Sequence, residues 1–449
     1  MNEILLTKTF HSTHSTNLHI IMKKRFIFIS ILAIMTAACA ESEWEPASQT
    51  DVSTSTHSVR QRTLDEALAY ADEWFAQMDE PTRSEGRRVG NVEYVRSTTR
   101  TRAGDTDTLM YLVNYEDNRG FALLGCPATS KAIYAISEEG SLDMSDTVYN
   151  KPLAMFMASA RADAQIAIPI PPGITLPPGM KDSLDIHAHY RLRRAVSPML
   201  PENVSKWSQE APYNHACPTV DGKKGLVGCG PLAVGMLMAY YRYPDKVGNV
   251  NIDWNTVLEY NLTHVISVFL ETLARPEYLN CKYKEWSDRA TDRKNICRSF
   301  KYLGFGLGDI WDNTGLCYIL RNTNTQTEIE VCNVEPLMDF MEMGCYPAEA
   351  APVILWGQSV DNEDDAHFWV TDGFIQYEQY YPDFPVLNPK KLDPAFHMVW
   401  GWGGKADGYY TYFESKKKLS EVDKDSINRN APLQFWHLHL FGKFAVFRN

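Results

Sequence analysis

The stretch KKGLVGCGPLAVGMLMAYYRYP, residues 223–244, sets Cys229 between two glycines and ahead of a run of apolar residues. The pattern predicts a helix that opens at Cys229 or Gly230, carries Pro231 in its first turn where a missing N–H costs nothing, and stops at Pro244. A thiol at the mouth of a helix meets the partial positive charge of unpaired N–H groups, which favours the thiolate. Gly228 and Gly230 leave the sulfur accessible. A thiolate nucleophile also needs a partner that holds it as an ion pair and later protonates the leaving group, and imidazole suits both tasks near neutral pH. His367, in DDAHFWVTDGF, is the candidate: it opens a predicted strand and follows the cysteine by 367 − 229 = 138 residues. His57, His187, His189, His215 and His264 fall in tether-like, linker-like or helical contexts with no such company.

These two residues must be positioned by elements far apart in the chain. Residues 40–62 are polar and rich in Ser and Thr, and read as a tether. TLDEALAYADEWFAQM then predicts an amphipathic helix, with Thr63 as N-cap, Glu66 completing a capping box, and Leu64, Ala67, Leu68, Ala71 and Phe75 on one face. Strand-like runs follow, with turns at Gly104-Asp105 and at Asn118-Arg119-Gly120, and KAIYAIS makes another strand. One helix beside a small antiparallel sheet is the expectation for residues 63–164. Residues 165–194 hold QIAIPIPPGITLPPGMKDS and the basic run that opens with HYRLRR, and read as a proline-stiffened linker open to proteolysis. From 195 to 449 helices come first (255–276, DRKNICRSFKYLG, EPLMDFMEMG) and strands later (APVILWGQ, HFWVTDGF, FHMVWGW, GYYTYF, GKFAVF). A helical half packed on a strand-rich half is an α+β arrangement with a cleft between the halves.

Composition narrows the field. The 449 residues carry a formal charge of −12 and no basic stripe with interleaved aromatics, which argues against a nucleic-acid partner. From Met22, MKKRFIFISILAIMTAACAESEWE reads as an export signal with charged, apolar and small-residue regions in order, so that residues 1–39 are an upstream extension and signal peptide with Met22 as the start. The small residues end on Cys39, as in a lipobox, and this predicts lipid attachment at Cys39, with simple secretion after cleavage beside Ala38 as the alternative. Nine cysteines at no zinc-like spacing leave disulfide pairing open. The pairs His187/His189 and His437/His439 put two side chains on one face of a strand and predict no metal site.

With these residues in view the chain resembles the streptopain-like cysteine peptidases, papain-fold enzymes made as zymogens. Three motifs carry the resemblance in the family's order: Gly228-Cys229 through Tyr243-Pro244, His367 through Asp372-Gly373, and WGWGGKADGYY from Trp400 to Tyr410. KWSQEAPYNHACP looks like the family segment whose glutamine, here Gln209, helps form the oxyanion hole; TLDEALAYADEWFAQM and YLVNYEDNRGFALLG look like the propeptide and the related free inhibitors. The separation of Cys229 and His367 also lies within the roughly 130–150 residues seen in papain-like enzymes.

The resemblance implies a papain-like two-lobe catalytic domain preceded by a small α+β prodomain, and an exported, lipid-anchored or secreted cysteine endopeptidase acting on protein or peptide substrates. It further implies Cys229 and His367 as catalytic residues, Trp400 and Trp402 shielding His367, the propeptide as intramolecular inhibitor, and no cofactor. The sequence departs from the family at Val399, where an asparagine usually orients the histidine, at Asp365 and Ala366 in place of two glycines, and at Gly230 and Pro231 after the cysteine. Two alternatives follow: a catalytically silent papain-fold surface protein that binds a partner protein, for which Val399 speaks, and a protease inhibitor acting through its N-terminal domain.

Overall fold

The computed structural model describes residues 60–78, 86–97, 107–165, 188–307, 334–343, 350–358, 366–383, 387–411, 437–439 and 446–447. All lie in one compact unit, Ser58–Asn449. The signal, Cys39, most of the tether, the Gly104-Asp105 turn and linker residues 166–187 lie outside the described residues.

Helix α1 (Leu64–Met78) begins as its sequence dictates. Thr63 Oγ1 accepts from the Glu66 N–H at 3.2 Å, and the Glu66 carboxylate accepts from the Thr63 N–H at 2.9 Å, the reciprocal capping box. The helix buries Ala67, Tyr70, Ala71, Trp74 and Phe75, while Leu64 and Leu68 stay half-exposed at the rim. Beneath it run β1 (Val89–Arg96), β2 (Thr108–Tyr115), β3 (Phe121–Gly125) and β4 (Ile133–Ser137), an antiparallel meander.

The expectation of a single helix in this region is corrected by α2 (Lys151–Gln165), which the Asn150 side chain caps by accepting the Leu153 N–H at 3.2 Å. Its buried side chains, Leu153, Met155, Met157, Ala160 and Ala164, are mostly small or flexible. That makes a faint stripe rather than an evident amphipathic period. A second correction concerns residues 189–194, read as the end of the linker. They belong to β5 (His189–Val196), which pairs antiparallel with the long strand β9. Tyr190 turns inward to meet Tyr70 and Trp74 edge-on, while Arg191 and Arg194 turn outward to acidic partners, Glu378 and the Glu335, Asp339 and Glu342 carboxylates. Alternation about an edge strand, not an extended tether, accounts for the basic run.

In the second half, α3 (Cys229–Tyr241) is the central helix. The single helix expected over 255–276 is two, α4 (Trp254–Glu259) and α5 (Thr263–Leu273), because Asn261 takes a left-handed conformation at φ 44° and breaks the run. After them come the hairpin β6 (Lys282–Glu285) and β7 (Asp288–Ala290), then α6 (Arg293–Tyr302) and α7 (Val334–Met343). Two-residue strands aside, the later strands are β8 (Val353–Gln358), β9 (Ala366–Tyr380), β10 (Ala395–Val399), β11 (Gly408–Thr411) and β12 (His437–His439). The fold is α+β.

Among the described residues one sheet runs β1-β2-β3-β4-β11-β10-β9-β8-β12, with β5 added on β9. The division between residues 63–164 and 195–449 is therefore not a gap in the sheet: β4 pairs with β11 through Ile136 opposite Tyr409 and Ala135 opposite Tyr410. Apolar packing crosses the same line. Trp74 of α1 stacks on Tyr377 of β9 at 4.0 Å between ring centroids, and the Tyr377 hydroxyl donates to the Trp74 carbonyl at 3.1 Å. Trp74→Ala should cost the full chain roughly 3–5 kcal/mol, as large-to-small core substitutions do, read from the midpoint of urea unfolding. An unchanged midpoint would show that the shared cluster contributes little.

Candidate active site

Cys229 is the first residue of α3, and Gly228 before it sits at φ +92°, a conformation that favours glycine. The Leu232 N–H closes the first turn on the Gly228 carbonyl at 3.3 Å, and the helix ends as Arg242 turns left-handed at φ 50°. Gly230 through Ala239 are all buried, so α3 is enclosed on every side rather than amphipathic. Cys229 at its start is half-buried, as are Tyr240 and Tyr241 at its end, and the Cys229 thiol is free. Cys126, Cys217 and Cys281 are free as well.

Three stretches distant in sequence meet at this helix mouth. The Gln209 carbonyl accepts the Val227 N–H at 3.0 Å, and the Gln209 N–H donates to the Gly401 carbonyl at 3.2 Å. Ser208 bridges to Trp402, and the Gly403 N–H donates to the Trp207 carbonyl at 3.2 Å. FHMVWGW is thus a strand only to Val399. Gly401, Gly403 and Gly404, at φ between +72° and +82°, then coil the chain back toward Gln209. A Cβ on Gly401 would stand 2.6 Å from the Leu232 side chain in the first turns of α3, so close approach is a second reason for glycine. Gln209, the loop into Cys229, and Trp400 to Trp402 are brought together by these backbone bonds.

His367 is the second residue of β9, opposite Gly357 in β8. The strands divide their side chains by the pleat: Ile354, Trp356, Phe368, Val370 and Val399 join the cluster around α3, on which Cys229 also packs, while Val353, Leu355 and Trp369 join the cluster on the other face. The ladder partner of His367 belongs to the second set, since a Cβ on Gly357 would meet Trp369 and the Met155 sulfur of α2. The N-terminal unit therefore packs beneath the strand that carries His367. It also reaches the Trp-Gly turn, where the Tyr149 ring meets Trp402 edge-on at 5.0 Å. Trp400 packs against Trp369 and Tyr410 and donates its indole N–H to the Ala406 carbonyl at 3.0 Å. Val399 is a buried member of the α3 cluster, opposite Val370.

Sequence reasoning missed what Asp372-Gly373 does. The fully buried Asp372 carboxylate meets His397 Nδ1 at 2.6 Å and accepts the Leu200 N–H at 3.0 Å. A Cβ on Gly373 would collide with the Val196 carbonyl at 2.6 Å, so glycine lets β5 pass. Nearby, Asp407 accepts the Trp400 N–H at 3.0 Å and so fixes the start of the Trp-Gly turn. Burial lowers the His397 imidazole, but the Asp372 carboxylate and its hydrogen bond outweigh this and hold the ring above its ordinary value, with Asp407 and Glu138 adding to them. Burial pushes the Asp407 carboxyl up to about 7, against the opposing Trp400 N–H and His397.

The matched family models agree with the motifs. Residues 207–288 and 323–410 match the peptidase C10 family, and residues 56–164 match the Spi protease inhibitor family. Over those residues the chain resembles the C10 peptidases, preceded by a segment that resembles the Spi inhibitors. A structure of a prointerpain A fragment from Prevotella intermedia is similar at 13% identity and TM-score 0.42, covering 73% of this chain and 92% of that one. Active interpain A from Prevotella intermedia, described as a cysteine protease, is similar at 17% identity and TM-score 0.31, covering 48% of this chain and 86% of that one. No curated protein matches. Among the described residues no helix is long and apolar enough to cross a membrane.

The buried cluster sets a pH dependence. Asp407 and His397 both hold a proton more tightly folded than unfolded, so each contributes stability that is complete below its unfolded value and is lost as pH rises through the folded one. Stability from Asp407 should fall between about pH 4 and about 7. Asp407→Asn keeps an acceptor for the Trp400 N–H and removes the titration. Unfolding free energies from urea should lie close to wild type near pH 4.5 and exceed it near pH 8 by about 3 kcal/mol; a constant difference across this range would show that Asp407 ionises normally.

Proposed function

We propose that the protein is an exported cysteine endopeptidase made as a zymogen. Cys229 supplies the thiolate that attacks the scissile carbonyl, with His367 as its partner. The tetrahedral oxyanion lies between the Cys229 N–H and the Gln209 side chain. The imidazolium of His367 gives its proton to the departing amine, leaving a thioester at Cys229. Water, with His367 now as base, then releases the acid and restores the thiol. Each oxyanion donor of this kind is worth about 3 kcal/mol of transition-state stabilisation. Trp400 and Trp402 frame the histidine side of the cleft. The substrates are proteins or peptides, and the chemistry calls for no cofactor.

The observation that carries this reading is the pair of backbone hydrogen bonds tying Gln209 to Val227 on one side and Gly401 on the other. They bring three of the four motif segments, all but the histidine strand, to the N-terminus of one helix, and α3 packs against β9, where His367 stands opposite Gly357. The N-terminal unit acts as an intramolecular inhibitor: α2 lies under the His367 strand and Tyr149 sits on Trp402. A cut within residues 166–187 begins maturation. Export through the Met22 signal, with lipid attachment at Cys39 or secretion without it, completes the proposal.

Val399 favours a second reading. A buried valine stands where an asparagine would orient the histidine, and a catalytically silent binder of a partner protein would tolerate it. The two separate on incubating the full chain and a Cys229→Ala copy under reducing conditions and following mass. The peptidase reading expects wild type to lose its N-terminal part through cuts in 166–187, the Cys229→Ala chain to stay whole, and a peptidyl epoxide to mark Cys229 once the linker is cut. Equal masses and no adduct in linker-cleaved protein would favour the binder.

A further inference from the structure

The hairpin β6–β7 grips the segment that delivers Cys229. Leu226 and Val227 precede Gly228, and each of their backbone polar groups has a partner. The Leu226 N–H donates to the Trp286 carbonyl at 2.9 Å, and the Tyr283 hydroxyl donates to the Leu226 carbonyl at 2.6 Å. The Val227 N–H goes to Gln209, and Arg289 Nη1 donates to the Val227 carbonyl at 3.3 Å. Three of these four partners come from the hairpin.

Arg289 is the member whose presence packing alone does not explain. Its side chain is 5% exposed. The guanidinium is held bidentate by Glu271 of α5, at 2.6 and 3.0 Å, and lies over the Tyr283 ring at 4.5 Å. Burying such a pair costs desolvation that apolar side chains of similar volume would avoid. Beyond Glu271, Arg289 Nη1 donates to the Val227 carbonyl, immediately before the glycine at the helix mouth, and to the Cys217 sulfur at 3.8 Å. The backbone of Arg289 closes in on the same point: a Cβ on Gly228 would stand 3.1 Å from the Arg289 carbonyl and 3.2 Å from its Cβ.

We propose that Arg289, braced by Glu271, is a positioning residue of the site: it fixes the 226–228 backbone so that the Cys229 N–H and Gln209 address the same oxyanion. The proposal rests on the peptidase reading. Val227 is shared, its N–H held by Gln209 and its carbonyl by Arg289, so a shift of this loop moves both oxyanion donors relative to each other. Lysine does not replace Arg289, since a compact ammonium lacks the planar fork that spans both Glu271 oxygens while reaching the Val227 carbonyl.

The test uses the full chain after linker cleavage, as wild type, Arg289→Ala and Arg289→Lys, with four readouts: kcat, KM, inhibition by a peptide aldehyde whose hemithioacetal places an oxyanion in the same hole, and alkylation of Cys229 by iodoacetamide, which needs no such hole. Both variants should lose about 10- to 100-fold in kcat with KM little changed, the scale of a displaced oxyanion donor. Aldehyde inhibition should weaken by a similar factor, with alkylation within about 3-fold of wild type. A merely structural arginine would lower all readouts together or none, and either result overturns the proposal. If neither variant folds, Glu271→Gln keeps the shape and removes the countercharge; it should show the same split at smaller size, and unchanged kcat and aldehyde affinity would overturn the proposal. A wild type that neither cleaves peptides nor binds the aldehyde ends the peptidase reading and this proposal with it. An active wild type with unaffected variants ends this proposal alone.

Discussion

The backbone of Gln209 offers one N–H and one carbonyl, and both are used to join parts of the chain that lie apart in sequence. The N–H holds Gly401 and the carbonyl holds Val227, so the turn after β10 and the loop into α3 are registered against one short segment. Much of the local backbone follows from this. Gly228 must adopt a positive φ to bring Cys229 onto the helix axis beside Gln209, and Gly401, Gly403 and Gly404 must do so to fold the Trp-Gly turn over Leu232. Asp407 secures the other end of that turn through the Trp400 N–H. A backbone frame of this kind fixes where the Cys229 N–H and the root of the Gln209 side chain stand relative to each other.

The N-terminal unit is built into the same frame. It continues the sheet through β4 and β11, and its apolar side chains share clusters with the C-terminal part: Tyr70, Trp74 and Phe75 with Tyr190, Ile375 and Tyr377 on one face, Leu153 and Met157 with Trp369, Trp400 and Tyr410 on the other. Severing residues 166–187 leaves all of this in place. Each large side chain returned to water on separation costs about 1.5–3 kcal/mol, and the freed edge of β11 would present unpaired backbone groups. Cutting and release are therefore distinct events in this architecture.

Local signals in the sequence read well where chemistry or period is strong. The Thr63–Glu66 box, the helix mouth at Cys229 and the strand opening at His367 stand where the pattern puts them. Helix α2 was illegible because alanine and methionine supply most of its buried face, and β5 because its arginines mask a two-residue alternation of Tyr190 and Leu192. The split between α4 and α5 turns on a single left-handed asparagine inside an otherwise continuous period. The union of β4 with β11 joins residues more than half the chain apart, and no local pattern encodes such a pairing. At the site, Cys229, Gln209, Trp400 and Trp402 could be found from motifs. Asp372 and His397, Asp407 and Arg289 act through buried partners, and one sequence does not reveal which polar residues go inside.

The central claim is that the sulfur of residue 229 and the imidazole of residue 367 act as a pair once the linker is cut. The most direct measurement is the rate of Cys229 alkylation at mildly acid pH in linker-cleaved wild type and in His367→Ala. The account predicts that wild type reacts at least about ten times faster, because the imidazolium holds the thiolate where a lone thiol would be protonated. Equal rates in folded proteins would contradict it.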